Sequence, residues 1–298
     1  MENEPSRTAL TTAYARAYHQ IADRPTILTD PLAARLLGVT ADELAELGQP
    51  TGDNPGAGLG VLQVGVTDRP RRLFFAARSR FAEDRVAEAA AAGARQVVIL
   101  GAGLDTFAFR NPHAGLRVFE VDHPATQAWK RERLTVSGID QPEGLTFVPV
   151  DFETDTLATQ LETAGFSRTE AAVFVWLGVV FYLTPDAARA TLEYVAGQPG
   201  PVEVIFDYLQ SANTDQDRAQ MQVRENRAAA VGEPWFSYFT PDGIAAQLRA
   251  LGFADIEDHS ATDLIAGYLD GSAEFEGEPQ ALRPVRIVRA SRGQAAPS

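Results

Sequence analysis

Cysteine is absent from all 298 residues. That excludes disulfides, thiolate nucleophiles and any Cys-ligated zinc or cluster. Histidine is scarce, and His19, His113, His123 and His259 stand apart, with no His-x-x-x-His or carboxylate spacing typical of a ligand set. No metal is therefore expected. No Gly-x-Ser-x-Gly elbow is present, which argues against a serine hydrolase. Basic charge is short: 26 Lys and Arg against 40 Asp and Glu leave a formal net charge of -14. Such a surface repels nucleic acid and anionic membrane. The local run of Arg69, Arg71, Arg72, Arg78 and Arg80 reads as a helix face. No apolar run approaches the ~18–20 residues needed to span a bilayer. The stretch Met1 to Thr12 is polar, without an apolar signal region. The expectation is a cytoplasmic enzyme with a small-molecule partner and no nucleic-acid or membrane partner; the oligomeric state stays open.

What is present is ordinary for a globular chain, with 45% apolar and 22% charged residues. The first ninety residues read as helices with irregular joints. Ser6 caps a helix to about Ala22, Asp30-Pro31 opens one through Leu37, and Thr40 with Glu43 forms a capping box for a third ending near Gly48. A glycine-rich loop follows over 49–67, functional or mobile at that length, and then Asp68-Arg69-Pro70 starts a long helix to Gly93. From Arg95 the texture changes to short β-type runs at 96–100, 116–121, 145–150, 172–177 and 202–207, with helices at 123–137, 153–165 and 184–197 between them. Continuous apolar strands alternating with helices predict a parallel, doubly wound sheet covered on both faces. A polar helix over 211–231, a helix from Thr240-Pro241 to Leu251, and strands near 253–258 and 284–290 complete the pattern, and 294–298 read as a frayed tail. The division this predicts is a helical cap over 1–93 and a core over 94–298, with a cap insertion at about 208–240.

Ligands of open α/β sheets sit at the carboxyl ends of the strands, beside the topological switch. Three features fall at such ends. Gly101-Ala102-Gly103-Leu104-Asp105-Thr106 follows the first strand, Glu120-Val121-Asp122 ends the second, and Asp151-Phe152 ends the third. The glycines allow close backbone approach. Asp122 lies 19 residues after Gly103, near the ~20-residue spacing of an acid that binds ribose hydroxyls. Asp151 and Phe152 suit an adenine. Thr106 stands where a dinucleotide fingerprint carries its third glycine, which favours S-adenosylmethionine over NAD. An NAD(P)-dependent oxidoreductase on the same sheet remains an alternative, although no Tyr-x-x-x-Lys pair supports it.

The blocks "ARSRFAED", "QVVILGAGLDTFAFR", "VFEVDHPATQAWKRERL", "FVPVDF" and "VFVWLGVVFYLTPDAA", in this order, resemble the leucine carboxyl methyltransferase family, whose bacterial branch includes polyketide-synthesis O-methyltransferases. The similarity runs from about Ser6 to Asp207. It implies a class I methyltransferase with a seven-stranded, mostly parallel sheet and an N-terminal helical cap, using S-adenosylmethionine. It further implies that Gly101, Ala102 and Gly103 approach the methionine part of the cofactor, that Arg78 pairs with its carboxylate, that Asp122 takes the ribose hydroxyls, with Glu120 pointing to the same area or to the helix behind, and that Asp151 and Phe152 frame the adenine. Many family members carry a glutamate where this chain has Leu177, which removes a polar contact near cofactor and substrate. The substitution keeps a non-catalytic, adenosylmethionine-binding role open and argues against assuming a protein-carboxylate substrate.

Methyl transfer from a sulfonium is a direct displacement that needs alignment and exclusion of water. A carboxylate acceptor needs only orientation, whereas a hydroxyl with pKa about 10 benefits from a base. No base is assigned; Tyr182, Asp207, Tyr208 and His19 are the candidates. Tyr14, Tyr18, Phe181 and the run containing Trp235, Phe236, Tyr238 and Phe239 are expected to line a small-molecule pocket or to bury the cap. The function expected is O-methylation of a carboxylate or hydroxyl of a small molecule, plausibly a secondary metabolite.

Overall fold

The computed structural model describes residues 6–49, 65–151, 154–230, 232–269, 275 and 279–293. Phe152, the expected frayed tail and most of the expected long loop lie outside the described residues.

Seven strands form one sheet in the order β3-β2-β1-β4-β5-β7-β6. They are β1 Gln96–Leu100, β2 Arg117–Asp122, β3 Leu145–Pro149, β4 Ala172–Trp176, β5 Val202–Leu209, β6 Asp255–Ser260 and β7 Val285–Arg292. β1 to β5 pair in parallel, and β7 inserts antiparallel between β5 and β6. The order reverses between β1 and β4, which places the switch point directly beyond Leu100. β1, β4 and β5 are buried throughout. Their near-continuous apolar sequence follows from being covered on both faces.

One face packs Val98, Phe119, Phe174, Trp176, Phe206 and Tyr208 under α7 (Leu157–Thr163), α8 (Pro185–Ala196) and α10 (Pro241–Ala250). Trp176 belongs to this core and tilts against Phe206. The other face packs Val97, Ile99, Val118, Val173, Val175 and Ile205 under α4 (Arg69–Ala91), the short α5 (Phe107–Arg110) and α11 (Ala261–Tyr268). α6 (Pro124–Val136) follows β2, and α9 (Asp215–Ala230) follows β5.

The N-terminal helices α1 (Arg7–Ala22), α2 (Leu32–Leu37) and α3 (Ala41–Leu47) pack on one another and reach Leu104 and Leu134 of the sheet-bearing part. Ser6 caps α1 by accepting from Ala9 N, and Thr40 with Glu43 closes the expected capping box. Arg16 ties α1 to the loop beyond β1, bonding Asp30 at 3.0 Å and the Leu104 carbonyl at 2.7 Å. α4 ends at Ala91, two residues short of the expected Gly93, where Gly93 turns at φ 108°. The helix expected over 153–165 begins only at Leu157, because Thr156 caps it through Thr159 N. Among the described residues, no helix is long and apolar enough to cross a membrane.

Candidate functional site

The loop beyond β1 is shaped by two glycines in the left-handed region, Gly101 at φ 64° and Gly103 at φ 49°. Side chains there are strained and also obstructed. A Cβ on Gly101 would lie 2.5 Å from Val179 Cγ2, and one on Gly103 would lie 3.2 Å from Ala9 Cβ. The loop is thus roofed by the first turn of α1 and by the segment leaving β4. The amides of Gly101 and Ala102 both donate to the Val121 carbonyl, at 2.9 and 3.1 Å, which fixes the loop against the end of β2. Asp105 accepts from Phe107 N at 2.6 Å and so starts α5.

Asp122 sits at that junction. Its carboxylate accepts from Gly103 N at 2.5 Å and from His123 N at 2.7 Å. A carboxylate has about four acceptor positions, so two are left for a ligand. Burial pushes its pKa up, against the pull of the two amides and Lys130. Glu120, two residues earlier, points to the helix behind: it is buried and bonds Lys130 Nζ of α6 at 2.6 Å. Burial, partly offset by Lys130, raises its pKa to about 7. Asp151 is half-buried at the end of β3, where the Val150 amide donates to the Asp122 carbonyl at 2.9 Å. The three strand ends named from the sequence therefore meet along one edge.

Arg78 comes to the same edge from α4. It is buried, and its guanidinium bonds Asp207 Oδ2 of β5 at 2.5 Å, while Asp207 Oδ1 accepts from Gly178 N at 2.5 Å. Its Nε is buried with no hydrogen-bond partner. Gly178, at φ 73°, passes so close that a Cβ would lie 3.1 Å from Arg78 Nη2. Leu177 beside it is half-buried and lines a small cavity with Glu83, Asp105 and Phe107. Glu83 is held there by Arg110 at 2.6 Å, with its pKa raised by burial against that arginine.

The four candidates for a base are placed very differently. His19 is fully buried in the cap; its Nε2 accepts from Ile27 N at 3.0 Å and its Nδ1 contacts Asp23 at 2.9 Å. Both ring nitrogens are thus consumed in holding the turn after α1, and His19 is structural. Tyr208 lies on the opposite sheet face from Asp207, because neighbouring strand residues alternate. Its hydroxyl donates to Asp258 at 2.6 Å, and burial with that carboxylate raises its pKa further. It does not face the loops, contrary to its expected position beside the acceptor. Asp207 is paired as described.

Tyr182 alone joins a polar cluster with the first turn of α1. Its hydroxyl is 2.7 Å from Thr8 Oγ1 and 3.4 Å from Glu233, and Thr8 donates to Glu233 from its hydroxyl at 2.5 Å and its amide at 3.2 Å. Burial is the main cause that pushes the Tyr182 pKa up to about 12. The sequence offered no signal for Thr8 or Glu233; the partners of Thr8 lie 174 and 225 residues away.

Of the aromatic run, Phe239 packs into the core against Tyr208, and Trp235 lies edge-on to Phe181. The run crosses the turn Val180–Tyr182, with Phe236 N donating to Phe181 O and Ser237 Oγ to Val180 O. Phe236 itself is exposed.

A glycine loop at the switch point, flanked by an acid ending β2 and roofed by N-terminal helices on a sheet with an antiparallel β7, defines the class I methyltransferase fold. The leucine carboxyl methyltransferase family model matches residues 9–196. A Bacillus subtilis protein, YktD, assigned provisionally as an S-adenosyl-L-methionine-dependent methyltransferase, is 34% identical over 88% of this chain and 91% of its own. A Mycobacterium avium protein with the same provisional assignment is 29% identical over 97% of this chain and 95% of its own. In fold, the chain is similar to a methyltransferase, also provisionally assigned, from Thermobifida fusca, with TM-score 0.55 and 14% identity over 92% of this chain and 99% of that one. The chain belongs to the leucine carboxyl methyltransferase family.

Proposed function

We propose that this chain transfers a methyl group from S-adenosylmethionine to a carboxylate oxygen of a small molecule. The donor, when bound, supplies an activated methyl on a sulfonium, and the C–S electron pair returns to sulfur as the O–CH3 bond forms.

The described residues fit that donor. At Gly101 and Gly103 a side chain would meet Val179 and Ala9, so the loop runs beneath them as bare backbone, the form that suits close approach to the methionine part. Arg78 holds an unpartnered, buried Nε and is oriented by Asp207, which suits a carboxylate. Asp122 keeps acceptor capacity for the ribose hydroxyls. Ala9 and Val179 crowd the loop from above, a cover that suits a reaction needing little water at the methyl group.

The observation that carries the choice of acceptor is the lack of a free base among the four candidates. His19 and Tyr208 are engaged elsewhere, Asp207 neutralises Arg78, and Tyr182 is held as a neutral donor by a pKa of about 12. A hydroxyl acceptor near pKa 10 benefits from a base to take its proton, and none of these four is free to do so. A carboxylate is already ionised near neutral pH and needs orientation alone. The family's name, which refers to a carboxyl acceptor, supports the same reading.

Calorimetry with S-adenosylmethionine, S-adenosylhomocysteine and NAD tests the donor; binding of NAD without the other two would sink the proposal. A labelled-methyl screen over carboxylic acids, hydroxy acids and phenols tests the acceptor. The expected product is a methyl ester that releases labelled methanol in alkali, whereas an alkali-stable ether would refute the carboxylate assignment.

A further inference from the structure

We propose that a cleft between the end of β5, α9 and the segment entering β7 anchors a second anionic group of the methyl acceptor, a carboxylate or a phosphate, on Arg224. This rests on the function proposed above. The cleft, about 60 Å³, is lined by Gln210, Ser211, Asn213, Asp217, Arg224 and Arg283, among others. It opens on the carboxyl edge of the sheet. Gln210 N donates to Pro284 O at 2.6 Å, so the outgoing end of β5 and the incoming end of β7 form its floor. Asp207, which positions Arg78, lies three residues back on the same strand. One to two strand spacings separate β5 from the β1–β4 switch point, so an acceptor held here spans about 5–10 Å to its reacting oxygen.

The charge of the cleft runs against that of the chain. Arg224 and Arg283 line the cleft with Asp217, and Arg71 from α4 and Arg227 from α9 lie close enough to act on Arg224, in a protein of net charge -14. Arg283 bonds Asp217 at 3.3 Å. Arg224 bonds the Gln280 carbonyl and, among the described residues, no carboxylate lies within ion-pair distance of it. Partial burial first, then the neighbouring arginines, lower its pKa against the pull of Asp68. A cation in that position gains from an incoming anion, because one ligand relieves both the desolvation and the repulsion. Asn213 and Ser211 add neutral hydrogen-bonding capacity beside it. Guanidinium is the group suited to forked bonding of carboxylate and phosphate alike.

The test uses the full chain saturated with S-adenosylhomocysteine and titrated with succinate in one arm and inorganic phosphate in another, by calorimetry or NMR. Wild type should bind at least one of them, and the stronger arm identifies the anion. Arg224→Gln should weaken that binding by at least about tenfold, the scale of a lost hydrogen bond to a charged group. Adenosylhomocysteine affinity, unchanged in that variant, reports that it is folded. Arg224→Lys should recover part of the binding. No anion binding by wild type, or equal binding by Arg224→Gln, would overturn the proposal. If adenosylhomocysteine itself does not bind, the methyltransferase reading fails; the same titrations run without it, with thermal denaturation as the folding check, still decide the cleft.

Discussion

Two buried arginine–aspartate pairs lie six residues apart on α4, and they behave differently. Arg72 bonds both oxygens of Asp23, at 2.7 and 2.8 Å, and also donates to the Val66 carbonyl; Asp23 is further contacted by His19 at 2.9 Å. That hub has its polar atoms matched. Arg78 bonds one oxygen of Asp207, the Gly178 amide takes the other, and the arginine Nε is left buried without a partner. Burying an unmatched polar atom costs free energy. A pair that is closed within the fold reads as scaffold, and one that lies at a strand-end loop with a buried donor unmatched reads as a site. Burial and charge alone do not distinguish them, since both arginines are buried.

The comparison breaks most visibly at Asp23. Asp23→Ala leaves Arg72 buried without its partner and should cost about 3–5 kcal/mol of stability by urea denaturation. Adenosylmethionine affinity of the folded fraction should be unchanged. The pH dependence has a definite sign. Burial would raise the Asp23 pKa, but Arg72 and His19 outweigh it and hold the carboxyl well below the usual range. Its stabilisation is therefore full above the unfolded value near 3.9 and is lost as pH falls below it. The variant's acid limb should be correspondingly flatter, and an unaltered limb would contradict the hub.

At the open pair the readout moves from stability to affinity. Arg78→Lys keeps the charge near Asp207 but loses the fork, and Asp122→Asn weakens the acceptor beside Gly103. Each should reduce adenosylmethionine affinity by about 1.5–3 kcal/mol in calorimetry. Stability should change less than in Asp23→Ala. If either variant loses stability and keeps full affinity, its residue belongs with the scaffold.

Gly103→Ala comes next. A side chain in the left-handed region costs about 1–2 kcal/mol, and the new methyl would press on Ala9. Weaker cofactor binding together with faster proteolysis within α1 is expected, since the roof and the loop share that contact. The smallest effect belongs to Arg80→Gln. Arg80 is exposed and pairs with Asp84 one turn along α4 at 2.7 Å. Its loss should cost at most about 0.5 kcal/mol, with no change in cofactor affinity. A large effect would mean that position on α4, and not partner matching, sets the outcome.

Much of this was readable in advance. β1 falls on the residues its apolar run predicts, and β5 overruns its expected end at Asp207 to Leu209 because β7 pairs with it as far as Val285. The caps of α1, α3 and α10 follow from local side-chain chemistry. α11 was not foreseen: its signal, Ser260 accepting from Asp263 N, is hidden within the end of β6. The antiparallel insertion of β7 was equally hidden, since strand direction depends on which edge is free.

The sequence by itself determined the alternation of strands and helices, and with it the strand-end positions of Gly101, Gly103, Asp122 and Asp151. Periodicity, glycine and caps act over a few residues, so a linear reading reaches them. Tertiary structure alone decided what each polar group does. His19 became a core ligand of Asp23 and the Ile27 amide, Glu120 turned to Lys130, and Thr8 met Tyr182 and Glu233. The physical reason is that a buried polar atom takes its role from whichever partners surround it. For Arg78 and Asp207, those partners are 129 residues apart in the chain.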